Sequence, residues 1–109
     1  MIVSFETRCL QKICLTIEAA ERRLGPIHAQ ALIALIADIE AFEDAGQVID
    51  FFGCAAVCPG DDSLSLSIGA SYRARFLAAG KRFGCDPNGK VIWSSVKRLK
   101  LMEIEVINE

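Results

Sequence analysis

Leu64-Ser65-Leu66-Ser67-Ile68-Gly69-Ala70-Ser71-Tyr72-Arg73-Ala74-Arg75-Phe76 reads as a β-hairpin. Leu64, Leu66 and Ile68 alternate with Ser65 and Ser67, the period of a half-buried strand. Gly69, Ala70 and Ser71 are small and match a common hairpin loop length. Beyond them Tyr72, Ala74 and Phe76 alternate with Arg73 and Arg75. A loop of that length sets Ser67 opposite Arg73 and Ser65 opposite Arg75. Directly opposed residues point to the same side of a sheet. The hairpin is therefore predicted to carry one apolar face for a core and one serine/arginine face, on which any function must be sought.

Upstream, residues 1–5 (MIVSF) are apolar and β-prone and predict a first strand. From about Glu6 the period becomes helical, with Leu10, Ile13, Cys14, Ile17 and Leu24 on one stripe and Glu18 and Arg22 as an i,i+4 pair. Gly25-Pro26 ends this helix and opens the next, because proline is tolerated in a first turn. The second helix is expected over residues 27–43, with Leu32, Leu35, Ile36, Ile39 and Phe42 buried. Its remaining faces are alanine-rich, so it should be covered on two sides, by the first helix and by a sheet. Asp44-Ala45-Gly46 is expected to end the helical region, and residues 49–57 read equally as a loop or an irregular strand. Pro59-Gly60-Asp61-Asp62 then signals a turn into the hairpin.

Downstream, residues 77–79 can extend the second hairpin strand, and Asp86-Pro87-Asn88-Gly89 is a strong turn. The following segment is rich in strand formers, but its alternation changes phase. Leu99 and Leu101 have one parity; Met102, Ile104 and Val106 have the other. A bulge near Leu101-Met102, or a strand buried on both faces, reconciles them. The expected architecture is a single α+β domain over residues 1–109: an N-terminal strand, then a two-helix hairpin packed on a mainly antiparallel sheet of four to five strands.

The composition is that of a globular domain, 52% hydrophobic. No apolar run approaches the roughly 20 residues of a membrane span, and the first residues lack a signal peptide's basic and apolar regions. A cytoplasmic protein with no membrane association is expected. Five cysteines without a secretory signal predict free, mostly buried thiols. Cys54 and Cys58 have the spacing of half a metal site, but only His28 and scattered cysteines are left to complete it, so a buried small-residue role is expected, with no metal and no cofactor. No phosphate-loop, dinucleotide, zinc-protease or paired CxxC motif is present. His28, in the first turn of the second helix, is expected to face solvent or to cap.

Net charge is −2, unevenly spread. Residues 1–63 hold four Lys/Arg against ten Asp/Glu, whereas residues 64–109 hold eight against four. The basic half suits phosphate or an acidic partner. Arg73 and Arg75 are its best-placed members, because guanidinium forks hold phosphate oxygens bidentately. Lys81, Arg82, Lys97, Arg98 and Lys100 join them if the last strand lies beside the hairpin. RNA cleavage by 2′-hydroxyl attack needs an acid, a base and a cation for the pentavalent phosphate, and arginine supplies the last. The same pattern also fits a solvated face of cross-strand Ser/Arg pairs.

Taken together, Leu64-Ser65-Leu66-Ser67-Ile68, the small-residue turn and Tyr72-Arg73-Ala74-Arg75-Phe76 resemble the RelE/ParE toxin superfamily, most nearly its HigB-like plasmid-maintenance killer proteins. Trp93-Ser94-Ser95-Val96-Lys97-Arg98-Leu99-Lys100-Leu101 is similar to the lead into that family's last strand. The resemblance implies a RelE-like fold and the toxin of a type II toxin–antitoxin system: a ribosome-dependent mRNA interferase that inhibits translation. It implies Arg73 as the residue on the scissile phosphate and places Ser65 and Ser67 where some relatives carry basic catalytic residues. Combined with the basic pattern of this sequence, it makes Arg73 and Arg75 the expected catalytic residues and Ser65, Ser67, Lys97, Arg98 and Lys100 the expected RNA contacts. Its implied partners are the ribosome, mRNA and an antitoxin, usually a helix-turn-helix DNA-binding protein. Cys54-Ala55-Ala56-Val57-Cys58 stands where killer proteins carry a His and a Lys, and the chain ends near Val106-Ile107-Asn108-Glu109 rather than in Asp-Tyr-His. A second implied reading follows: a toxin-fold binding module without nuclease activity, holding an antitoxin or a target such as gyrase.

Overall fold

The computed structural model describes residues 1–53, 57–58, 63–69, 71–79, 84–85, 87 and 91–106. β1 (Ile2–Phe5) leads into α1 (Arg8–Leu15), α2 (Ile17–Leu24), α3 (Pro26–Ala41) and α4 (Ala45–Phe52). β2 (Val57–Cys58), β3 (Ser63–Ile68) and β4 (Tyr72–Ala78) follow, then a 3-10 turn at Trp93–Ser95 and β5 (Arg98–Val106). The strands form one mixed sheet in the order β1-β5-β4-β3-β2, antiparallel throughout except for the β1–β5 pair at one edge. This is an α+β fold with a mainly antiparallel sheet, as the periodicity predicts. Among the described residues no helix is long and apolar enough to cross a membrane.

The helical region departs from the expected two-helix hairpin in two places. The first helix is broken: Thr16 is extended (φ −127°, ψ 113°) between α1 and α2. The break shifts the helical phase, so Ile17, expected on the buried stripe, is 41% exposed, while Cys14 and Leu24 remain buried. The helices also do not stop at Asp44. Its carboxylate accepts from the Gln47 amide (3.0 Å), and the Gln47 side chain accepts from the Glu43 amide (2.8 Å). These two bonds satisfy N-terminal donors and start α4, so residues 49–52 are helical rather than loop or strand. α3 buries Leu32, Leu35, Ile36 and Ile39 as expected, with α2 on one side and β1 and β3 on another. It ends at Ala41, however, and Phe42, expected on the same stripe, is its extended C-cap and half-buried.

The hairpin register is the predicted one. Ser67 faces Arg73, Ser65 faces Arg75, and Ile68 faces Tyr72 across the turn. Leu64, Leu66, Ile68, Ala74 and Phe76 are all buried, in one core with Leu32, Ile36 and Ile39 of α3 and Leu99 and Leu101 of β5. Each fully buried side chain of this size stabilises the fold by about 1.5–3 kcal/mol. The phase change in β5 is a bulge. Arg75 pairs with Glu103, but Phe76 pairs with Leu101, leaving Met102 as the extra residue. The bulge keeps Leu99 and Leu101 in the core while turning Glu103 and Glu105 to the opposite face.

Candidate functional site

β4 lies between β3 and β5, so each of its outward side chains has a neighbour on both sides. Two rows result: Ser67, Arg73 and Glu105, and beside it Ser65, Arg75 and Glu103. Paired Cβ atoms in such rows stand about 4.5–5.5 Å apart. One terminal nitrogen of Arg75 lies 3.8 Å from a Glu103 carboxylate oxygen. Arg73 is half-buried, and its Nε is buried without a hydrogen-bond partner among the described residues. The Glu105 carboxyl is raised from its ordinary value by a hydrogen bond with Glu103, by slight desolvation and by the Glu103 charge; Arg75 and Arg73 pull it back down. Two guanidinium groups, two hydroxyls and two carboxyl groups therefore stand together on one sheet face.

The basic residues of β5 reach this face only at its margin. Lys100 lies opposite Leu77 and is engaged by Glu6 at 3.0 Å. Arg98 pairs with Ile2 on the edge side, about 13 Å of strand from the Arg75 row. Lys97 is exposed and precedes the strand. Thus Arg73, Arg75, Ser65 and Ser67 come together, while Lys97, Arg98 and Lys100 do not stand beside them. Lys81, Arg82, Cys54, residues 107–109 and the two turn segments before and after the hairpin lie wholly or largely outside the described residues. One row further along, opposite Leu77, Ser63 is fully buried with its hydroxyl unpaired among the described residues.

His28 neither faces solvent nor caps α3. It is half-buried, meets the Tyr72 ring edge-on at 5.0 Å, and lies against Gly69 at the hairpin turn. Gly69 has φ +60°, and a Cβ there would come within 2.7 Å of the imidazole. Tyr72 points to the helix side of the sheet, so this pair buttresses the hairpin from the face opposite Arg73. Cys14 is buried and its thiol pushed up to about 12 by desolvation, whereas Cys9 and Cys85 are exposed; the burial of Cys54 and Cys58 lies outside what the structure describes. A cleft of about 350 Å³, lined by Cys9, Leu10, Arg23 and Glu103 among others, opens along β5 beyond the end of β1. Among the described residues no three His, Cys, Asp or Glu side chains converge as metal ligands.

Glu103 and Glu105 are the functional candidates that the sequence reading passed over. Their signal is the matched spacing of Arg73-x-Arg75 and Glu103-x-Glu105 on antiparallel neighbours, legible only once the strands are known to be adjacent and in register. In comparisons with family models, curated proteins and solved structures, nothing matches this chain.

Proposed function

We propose that this chain is the toxin of a type II toxin–antitoxin pair, a RelE-like endoribonuclease that cuts mRNA on the ribosome and so arrests translation. The observation that carries the reading is the pairing of Arg73 with Ser67 and of Arg75 with Ser65 on one open face of the sheet. Two guanidinium forks at neighbouring positions match two oxygens of a phosphodiester or two successive phosphates, and flanking hydroxyls donate to the same anions. A phosphorane formed by 2′-hydroxyl attack carries an added negative charge, which Arg73 and Arg75 stabilise where it develops. The antitoxin is the protein partner implied by this role. Induced synthesis of the wild-type chain should arrest growth and produce codon-associated breaks in mRNA. An Arg73→Ala chain should do neither, and harmless wild-type synthesis with intact mRNA refutes the proposal.

A second reading is a toxin-fold binding module that holds an antitoxin or another protein target without cutting RNA. One observation favours it: Glu105 and Glu103 stand directly across from both arginines and balance their charge. Phosphate attraction dominates affinity for nucleic acid, and a neutral face attracts it weakly. Co-purification with a small helical protein, with no RNA cleavage even when ribosomes are added, supports this reading. Cleavage restored by ribosomes alone counts against it.

A further inference from the structure

We propose that Glu103 and Glu105 are the proton-transfer pair of this face, acting on an RNA phosphodiester held by Arg75 and Arg73. The inference rests on the endoribonuclease reading and supplies the acid and base that the sequence pattern lacks. Its basis is the register: β5 sets Glu103 beside Arg75 and Glu105 beside Arg73, and the Met102 bulge turns both carboxylates outward. Glu103 reaches Arg75 at 3.8 Å, so a phosphate oxygen bound to that guanidinium lies within a side chain's reach of the carboxylates. Two carboxyls that share a hydrogen bond favour a singly protonated state, with one group a base and the other an acid. The raised Glu105 carboxyl fits the acid.

The step balances on these groups alone. The ribose 2′-oxygen attacks phosphorus while its proton passes to the Glu103 carboxylate. The P–O5′ bond breaks, and the 5′-oxygen takes the proton that Glu105 carried. The products are a 2′,3′-cyclic phosphate and a free 5′-hydroxyl, with nothing oxidised or reduced. The pair then returns one proton from Glu103 to Glu105 before the next turnover.

Among the described residues the charged groups facing this pair are Arg73 and Arg75 from β4 and Arg23 of α2, which lines the same cleft as Glu103; Thr7, the N-cap of α1, and the exposed Cys9 also line that cleft, and β3 offers Ser65 and Ser67. The rate of cleavage should therefore fall toward low pH, where the pair carries both protons. It should fall toward high pH as Glu105 loses one.

The pair has an opposite effect on binding, and this makes the test specific. The carboxylate charge of the pair repels bound phosphate, so the E103Q/E105Q protein should bind 2′-O-methyl RNA, which cannot be cut, several-fold more tightly than wild type. The same protein should cut unmodified mRNA on ribosomes about 100-fold more slowly or worse. The single variant E105Q should lose the high-pH fall in rate while keeping the low-pH one. Cleavage by E103Q/E105Q within threefold of wild type overturns the inference and leaves the endoribonuclease reading standing. So does joint loss of cleavage and 2′-O-methyl RNA binding in a folded variant, since that assigns the glutamates to holding the arginines in place. Wild-type protein that cuts no RNA with ribosomes present overturns the reading itself, and this inference with it.

Discussion

Glu105 is an exposed carboxyl whose protonation is set by its neighbours, and those neighbours make opposed demands. Its hydrogen bond with Glu103 and the Glu103 charge raise it, while Arg75 and Arg73 lower it. Glu103→Ala removes both the leading cause and the repulsion, and leaves the guanidinium groups in place. Glu105 should then titrate at lower pH than in wild type, as followed by carboxyl carbon chemical shifts; an unchanged or higher midpoint contradicts this account of the rows. The cysteines offer a separate check. Native protein at neutral pH should be alkylated at Cys9 and spared at Cys14, whose thiol is buried and pushed up to about 12. Peptide mapping after brief iodoacetamide treatment reads the difference. At this scale the Ser/Arg pairs were legible because a three-residue loop fixes the pairing of its own strands. The glutamates were not, because their facing depends on a bulge and on which strand lies alongside β4.

The hairpin of β3 and β4 is held by its turn and by the helix above it. Gly69 takes a left-handed φ of +60° with His28 packed over it. In Gly69→Ala the left-handed conformation alone costs about 1–2 kcal/mol, and the new methyl must displace the imidazole from Tyr72 as well. The unfolding free energy should fall by at least that amount, read as a lower denaturation midpoint with an unchanged slope; a variant as stable as wild type contradicts the described contact. Elsewhere the elements show where periodicity misleads. The stripe from Leu10 to Leu24 reads as one helix, but Thr16, β-branched and extended, splits it and leaves Leu15 and Ile17 exposed. α4 is masked in the sequence because Asp44-Ala45-Gly46 resembles a terminator. Asp44 and Gln47, three apart, are the capping signature that announces a start.

At the level of the molecule, the helices and the buried faces of the strands make a core, and the paired serines, arginines and glutamates stand on the opposite face of the sheet. The α+β class and the mainly antiparallel sheet followed from the change of period after residue 5 and back again at the hairpin. The number of helices and the parallel β1–β5 edge depended on caps and long-range pairing that local pattern does not carry. The acidic first half and basic second half do not face each other as two poles. At the centre of the sheet the opposing charges come from β4 and β5, both within the basic half, and Lys100 is drawn to Glu6 from the acidic one. A face so balanced should bind RNA weakly on its own and depend on the ribosome to present the strand. The most direct measurement is therefore cleavage of a defined mRNA by purified protein with ribosomes, its new 5′ ends mapped for wild type and for Arg73→Ala. The account predicts discrete cuts by wild type and a loss of about 100- to 1000-fold in the variant. Equal cutting by both proteins, or none by wild type, contradicts it.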